Sequence, residues 1–134
     1  MSPTLELWGA IAARLKAYSA LTALIGSNNV HDRVPGTATL PYVRRGPADE
    51  LQIDAECVNA VEVTFQIDAF SQAVGFVEVA RIAAAVRDAL HRHSLTLTTN
   101  ALVEIEHRQT RYFDDPDPLT SHAAIEFVAT VEVN

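Results

Sequence analysis

The chain has 134 residues, enough for one domain with a hydrophobic core, and we take residues 1–134 as a single domain. Hydrophobic residues make up 49% and charged residues 20%, which is typical of globular proteins rather than of disordered chains. The formal net charge of -7 argues against tight binding to the phosphates of nucleic acids.

Two further features bear on where the protein resides. No apolar run approaches the roughly 20 residues that cross a bilayer, and the N-terminus lacks a basic region followed by an apolar block. Cys57 is the single cysteine and has no partner for an internal disulfide. We therefore expect a cytosolic protein with no membrane contact.

The first predicted element is an amphipathic helix that begins near Pro3. Ser2 or Thr4 is suited to cap it, and proline is favoured in a first turn. The apolar positions recur at helical spacing and predict one buried stripe: Leu5, Trp8, Ile11, Ala12, Leu15 and Tyr18. Trp8 and Tyr18 are therefore expected to pack in the core rather than to stack on a ligand.

The next part of the chain mixes turns with short elements. A helical turn ends at Gly26, turn-forming residues follow, and residues 40–46 ("LPYVRRG") predict a short strand. The acidic segment over residues 47–59 ("PADELQIDAECVN") has no apolar periodicity. We expect it to be a long exposed loop.

A strand and a helix are predicted in the middle of the chain. Residues 61–70 ("VEVTFQIDAF") alternate between apolar and polar side chains, with Glu62 and Asp68 on the polar face. A helix over residues 73–93 follows, with Ser71 as its cap and Asp88 paired with Arg92. Its predicted buried stripe is Phe76, Val79, Ile82, Ala83, Val86 and Leu90.

Two alternating segments, "ALVEIEHRQ" and "AAIEFVATVEV", predict the last two strands. The aspartates and prolines of "DDPDP" between them are typical of the bend of a hairpin. The order is helix, strand, strand, helix, strand, strand. We predict an α+β fold in which the N-terminal and central helices pack on one face of an antiparallel sheet of about four or more strands.

No metal site is predicted. The segment most similar to a calcium loop begins at Asp115, with Asp117 third and Glu126 twelfth, but Leu119 and Thr120 replace the required oxygen ligand and glycine. His91 and His93 are two residues apart on a helix and therefore point in different directions. We expect neither metal nor cofactor.

The catalytic candidates are weak as well. His31 with Asp32, and Ser121 with His122, could act as acid–base or nucleophile–base pairs, but no G-x-S-x-G, H-E-x-x-H, phosphate-binding or dinucleotide-binding motif occurs. We expect no catalytic residue. Arg44 and Arg45 could bind an anion, although ion pairs with Asp49 and Glu50 are the simpler interpretation.

The order of these segments resembles a known family, the tail-completion or tail-terminator proteins of long-tailed bacteriophages and gene transfer agents. The resemblance rests on "LELWGAIAARLKAYSALTALIG", "VHDRVPGTATLPYVRRG", "VEVTFQIDAFSQAVGFVEVARIAAAVRDAL" and "RYFDDPDPLTSHAAIEFVATVEV". The shared pattern is a helix ending near a glycine, a V-x-D-x-V-P turn, a P-Y-V strand and an aspartate-rich turn before the last strand. Residues 47–60 add nothing to it.

The resemblance implies a structural virion protein that catalyses no reaction. Six copies would form a ring at the head-proximal end of the tail tube, stop its polymerisation and join the tail to the head connector, while DNA passes through the channel without specific binding. Assembly would take place in the host cytoplasm. The partners would be further copies of the chain, the tail tube protein and the head connector or stopper protein.

Within such a ring, the charged residues predict the contacts between subunits or rings. Carboxylates of the hairpin tip and of the polar strand face would meet arginines of another chain. The expected contact residues are Arg44, Arg45, Glu62, Asp68, Asp114, Asp115 and Asp117.

Two alternatives stay open at this point. The chain could be a head-side stopper or minor tail protein, which assembly with the tail tube protein would distinguish from a terminator. It could also be a small α+β enzyme or ligand-binding domain that uses His31, Asp32 and His122. A monomer with a deep apolar pocket would favour that alternative.

Overall fold

The computed structural model describes residues 1–55, 58–73, 75–114 and 120–134. The elements in chain order are α1 (Pro3–Ala17), α2 (Ser19–Ile25), β1 (Val30–His31), β2 (Tyr42–Ala55), β3 (Val58–Ser71), α3 (Val77–Leu90), β4 (Ala101–Asp114) and β5 (Ser121–Glu132). The predicted α+β class is confirmed. No helix in the described ranges is long and apolar enough to cross a membrane.

All the described strands belong to one five-stranded sheet with the order β1-β2-β3-β5-β4. The pairs β2–β3, β3–β5 and β5–β4 are antiparallel. The short β1 pairs parallel to β2 through Val30 and Val43, so the sheet is mixed rather than wholly antiparallel as predicted. β5 lies between β3 and β4, so the C-terminal hairpin adds β4 as the edge strand.

The core lies between one face of the sheet and the helices. Alternate residues of β3 and β5, from Val61 to Ala69 and from Ala123 to Val131, point into a single buried cluster with α3. At its centre the rings of Phe65 and Phe127 stack with centroids 5.3 Å apart. The predicted alternation of β3 and β5, with the apolar side chains toward the core, is confirmed.

Helix α1 is rotated relative to the prediction. Ser2 caps it as expected, because its Oγ accepts from the Leu5 N–H at 3.2 Å. The buried stripe contains Leu7, Ile11 and Leu15, while Leu5 is exposed, so its predicted burial was wrong. The cause is Glu6, whose carboxylate turns inward to accept backbone hydrogen bonds from the turn before β4. Trp8 and Tyr18 are half-buried against the core.

The acidic segment is a strand, which contradicts the predicted loop. β2 continues to Ala55 and pairs with β3 from Ala48 opposite Phe65 to Ala55 opposite Val58. A bulge between Arg45 and Ala48 accommodates Pro47. The side chains of residues 47–52 are exposed, so no buried face imposes a period of two on this part of the sequence.

The start of α3 also differs from the prediction. Ser71 is the last residue of β3, and its Oγ accepts from the Ala73 N–H and bonds Glu78 instead of capping the helix. The helix therefore begins at Val77 rather than at residue 73. Phe76, expected in the buried stripe, lies at the N-cap and is exposed.

The predicted ion pair between Asp88 and Arg92 is not present among the described residues, because α3 ends before Arg92. The helix ends at Leu90, and Arg92 adopts a left-handed backbone conformation with φ 56°. The expected spacing to Asp88 is lost, because four-residue pairing requires continuous helix. Arg92 instead lies 3.4 Å from Glu106 of β4, and Asp88 lies 3.9 Å from Arg87.

Candidate assembly surface

One face of the sheet is not covered by the helices, and we call it the open face. Glu62, Thr64, Gln66 and Glu126 lie at its centre and are half-exposed. The strand registers assign further side chains to this face by alternation. They are Arg44, Asp49 and Leu51 of β2, Asp68 and Phe70 of β3, His122, Val128 and Thr130 of β5, and Glu104, Glu106, Arg111 and Phe113 of β4.

The open face is acidic. Its acidic residues include Asp49, Glu62, Asp68, Glu104, Glu106, Glu126 and Glu132, whereas Arg44 and Arg111 contribute cations by the strand register. Arg108 reaches the same face, because its Nε lies 3.9 Å from Glu126 Oε1. Carboxylates thus outnumber guanidinium groups on the surface that the helices leave bare.

Asp68 is the buried centre of a polar cluster on this face. Its side chain is almost fully enclosed, and its Oδ1 accepts from His122 Nε2 at 2.8 Å and from Gln66 Nε2 at 2.7 Å. Arg44 Nη2 lies 3.8 Å from the other carboxylate oxygen. A Cβ at Gly46 would come within 2.7 Å of that oxygen, so this position requires glycine.

Aromatic rings enclose His122 in the same cluster. The imidazole stacks on Phe70 with centroids 4.3 Å apart and meets Phe113 edge-on at 4.2 Å. Ser121 Oγ donates to the Gly75 carbonyl at 3.3 Å. Ser121 and His122 therefore do not form the nucleophile–base pair considered from the sequence.

The other sequence-adjacent pair is separated as well. Asp32 forms an ion pair with Arg45, which joins the V-x-D-x-V-P turn to β2. His31 meets the Tyr42 ring edge-on, with centroids 5.7 Å apart. The two arginines thus pair with Asp68 and Asp32, not with Asp49 and Glu50 as the sequence suggested.

The predicted contact residues fall into three groups. Arg44, Arg45 and Asp114 are exposed, and Glu62 is half-exposed, so these side chains are accessible to another subunit. Asp68 is only 2% exposed and is engaged by its own chain. Asp115 and Asp117 lie outside the described residues.

Histidines near β4 form a contact that the sequence did not predict. His91 Nδ1 accepts from the His107 N–H at 2.9 Å, and His107 Nε2 bonds Thr110 Oγ1 at 2.7 Å. Burial, followed by the charges of Arg87 and His91, lowers the pKa of His107. His91 follows α3 and His107 lies on β4, so their spacing in the sequence could not predict this contact.

The two cavities beside α1 are small or open to solvent. The apolar pocket between α1 and the sheet, around Leu7, Trp8 and Phe65, has a volume of only about 20 Å³. An open groove of about 420 Å³ lies beside Leu5, Gly9 and Leu97. Across the described ranges, no group of three or more His, Cys, Asp or Glu side chains could hold a metal ion.

Comparisons with known proteins agree with this architecture. The model of a family described as tail completion protein gp17 matches residues 9–132. A chain from the virion of a native gene transfer agent particle has a similar structure, with a TM-score of 0.89 and 28% sequence identity over 96% of each chain. No curated protein sequence matches the chain.

Proposed function

We propose, because the chain belongs to the tail completion protein gp17 family, that it is a structural protein of a phage-type virion and ends the growth of a tail tube. The observation that carries the proposal is the structural similarity over 96% of both chains to a component of a gene transfer agent virion. In that role the protein catalyses no reaction and needs no cofactor or metal.

In the proposed assembly, six copies form a ring at the head-proximal end of the tail. One side of the ring contacts the last ring of tail tube protein, and the other contacts the head connector. DNA passes through the channel without specific binding, in keeping with the acidic open face. Assembly takes place in the host cytoplasm before the particle is complete.

The charged residues accessible on the surface supply the proposed contacts. Arg44, Arg45, Glu62 and Asp114 would meet side chains of other subunits directly. Asp68 would act through its own chain, because it holds the Arg44 guanidinium in place. Asp115 and Asp117 lie outside the described residues and remain predicted contacts.

Polymerisation of purified tail tube protein tests the terminator role. A terminator should stop tube growth when added at a small fraction of the tube subunits, because one ring blocks one growing end. Native mass spectrometry should detect the ring, and electron microscopy should show it at one tube end.

The same experiment separates the alternatives. A head-side stopper would bind the connector and leave tube growth unchanged, and a minor tail protein would be incorporated along the tube. A chain that stays monomeric with both partners present would contradict the structural role and favour a ligand-binding domain.

A further inference from the structure

We propose that copies of this chain join edge to edge through their sheets, with residues 108–114 of β4 in one copy pairing antiparallel with residues 47–53 of β2 in the next. The inference deepens the proposed function, because it specifies a contact for the ring. It rests on four properties of the two sheet edges: free backbone groups, strand direction, stagger and charge.

The middle of β4 is already covered along its outer edge. The Arg92 N–H donates to the Ile105 carbonyl at 2.8 Å, and the His107 N–H donates to His91 Nδ1 at 2.9 Å. These contacts come from the segment that follows α3 and occupy the edge at residues 105–107. They block pairing with another strand there.

The second half of β4 lacks such a cover. Along residues 108–114, no main-chain hydrogen bond to the outer side is made by any described part of the chain. The side chains there include Tyr112 and Phe113, which are exposed hydrophobic residues. Unpaired backbone groups beside exposed apolar side chains are the usual features of a strand-pairing edge.

The opposite edge of the sheet has the complementary gap. β1 is only two residues long and pairs with Val43 and Arg44 of β2. Residues 47–53 of β2 lie past this short pairing. They pair with β3 on one side, and no described strand pairs with them on the other. Leu51 in this stretch is 65% exposed.

The strand directions allow the two edges to meet repeatedly. β2, β3, β5 and β4 alternate in direction, so β4 runs antiparallel to β2 of its own copy. If the next copy is related by a rotation about an axis roughly parallel to the strands, its β2 runs in the same direction as β2 of the first copy. That β2 is therefore antiparallel to β4 of the first copy. The contact is therefore antiparallel and head-to-tail, the type that closes rings.

Residues 108–114 of β4 and residues 47–53 of β2 lie at different heights along the strand direction. This offset matches the strand tilt that a closed sheet requires. Asp114 is level with Ser71 of β3, whereas Gly46 is level with Gln66, so the offset is about 71 - 66 = 5 residues. That is ~17 Å along the strands, across four strands spaced ~4.8 Å apart. The corresponding strand tilt is about 40°, within the ~35–45° typical of barrels.

The charges of the two edges are complementary. Residues 108–114 carry Arg108 and Arg111, and residues 47–53 carry Asp49 and Glu50. Arg111 and Asp49 are both exposed, lie on the open face and make no ion pair within the described chain. Antiparallel pairing places Arg111 opposite Asp49 or, one register step away, opposite Leu51.

Disulfide trapping tests the contact in the assembled ring. In a Cys57→Ser background, Asp49→Cys or Leu51→Cys is combined with Arg111→Cys, and the ring formed with tail tube protein is oxidised. We expect at least one pair to give a covalent ladder that ends at the closed ring. The matched control combines Asp49→Cys with Glu104→Cys, on the same face but outside residues 108–114 of β4, and should give no ladder.

A charge exchange provides a second test that does not depend on disulfide geometry. Asp49→Arg and Arg111→Asp should each reduce the ring fraction severalfold, and the double variant should restore it. If the double variant is as defective as either single variant, Arg111 does not face Asp49. The edge contact is then wrong unless Leu51→Cys with Arg111→Cys gives the covalent ladder.

The outcomes distinguish this contact from the proposed function. Rings that form normally but give no ladder with either pair overturn the edge contact and leave the terminator role intact. Covalent dimers from Arg111→Cys alone would indicate symmetric β4–β4 pairing and would also overturn it. Absence of any assembly with tail tube protein overturns the ring, and the edge contact with it.

Discussion

At the scale of single residues, the open face is organised around a carboxylate that the chain has enclosed. Asp68 is tolerated there because His122 and Gln66 donate to it and Arg44 lies nearby. Gly46 leaves the space for its second oxygen. The alternating pattern predicted that Asp68 would lie on the polar face. It did not predict the burial, which depends on β5 lying beside β3.

The core phenylalanines give the first prediction. Phe127 is fully buried and stacks on Phe65, so Phe127→Ala leaves a cavity that neighbouring side chains cannot fill. We expect the free energy of unfolding to fall by about 3–5 kcal/mol in urea denaturation. Val103→Ala, at an exposed position of β4, is the control and should change stability little. A loss for Phe127→Ala as small as that of the control would contradict the packing.

The second prediction concerns Arg45 at the proposed subunit contact. Arg45→Asp should weaken ring assembly and leave the monomer folded, because an exposed ion pair such as that with Asp32 contributes at most ~1 kcal/mol. The exchange Arg45→Asp with Asp32→Arg rebuilds the pair within the chain. If Arg45 meets another subunit, native mass spectrometry should show that the exchange does not restore the ring.

Full recovery of the ring by that exchange would instead assign Arg45 a role only within its own chain. Arg44 is less suitable for such a test. Its guanidinium lies beside the buried Asp68 and over the Phe70 ring, so charge reversal would also disturb the fold.

At the scale of elements, the sequence predicted the helices and strands that have a buried face and missed the strand segments that have none. β3, β5 and most of α3 carry an apolar period that burial imposes, and their positions were confirmed. Residues 47–52 of β2 lie in an edge strand and have exposed side chains, so the carboxylates there suggested a loop. β1 has two residues, too few for any period, and backbone pairing alone defines it.

Glu6 gives an element-scale prediction, because it joins α1 to the turn before β4. The backbone hydrogen bond from Asn100 holds its pKa below the usual 4.5, despite the opposing effect of burial. A lowered folded-state pKa contributes stability that is present above the unfolded pKa and is lost as pH falls through the folded one. Glu6→Gln should therefore lower the free energy of unfolding at pH 7.

The pH dependence provides the check on that prediction. The difference between Glu6→Gln and the original protein in urea denaturation should shrink as pH falls below 4.5, where Glu6 becomes protonated. Glu104→Gln, at an exposed position of β4, should show no comparable pH-dependent difference. A Glu6→Gln effect that stays constant between pH 7 and pH 3 would contradict the electrostatic explanation.

At the scale of the whole molecule, the sheet has two unlike sides and two unlike edges. The helices cover one side, and the other is bare and acidic. Within the described residues, one edge is unpaired where it is cationic, and the other is unpaired where it is acidic. A head-to-tail ring uses both edges and leaves the open face directed toward the axis or away from it. The sequence pattern predicted the polar face but not the edges, because strand order decides which strands are outermost.

The last prediction is that the open face lines the channel. Six copies carry a formal charge of 6 × (-7) = -42, and carboxylates facing DNA would repel its phosphates over about a Debye length, ~8 Å at physiological salt. Glu126→Lys, at the centre of the open face, should then slow DNA delivery by assembled particles. Asp88→Lys makes the same charge change on the exposed side of α3 and serves as the control. Particles with Glu126→Lys that assemble and deliver DNA as fast as the control would show that the acidic face does not act on the DNA, even if the ring itself is correct.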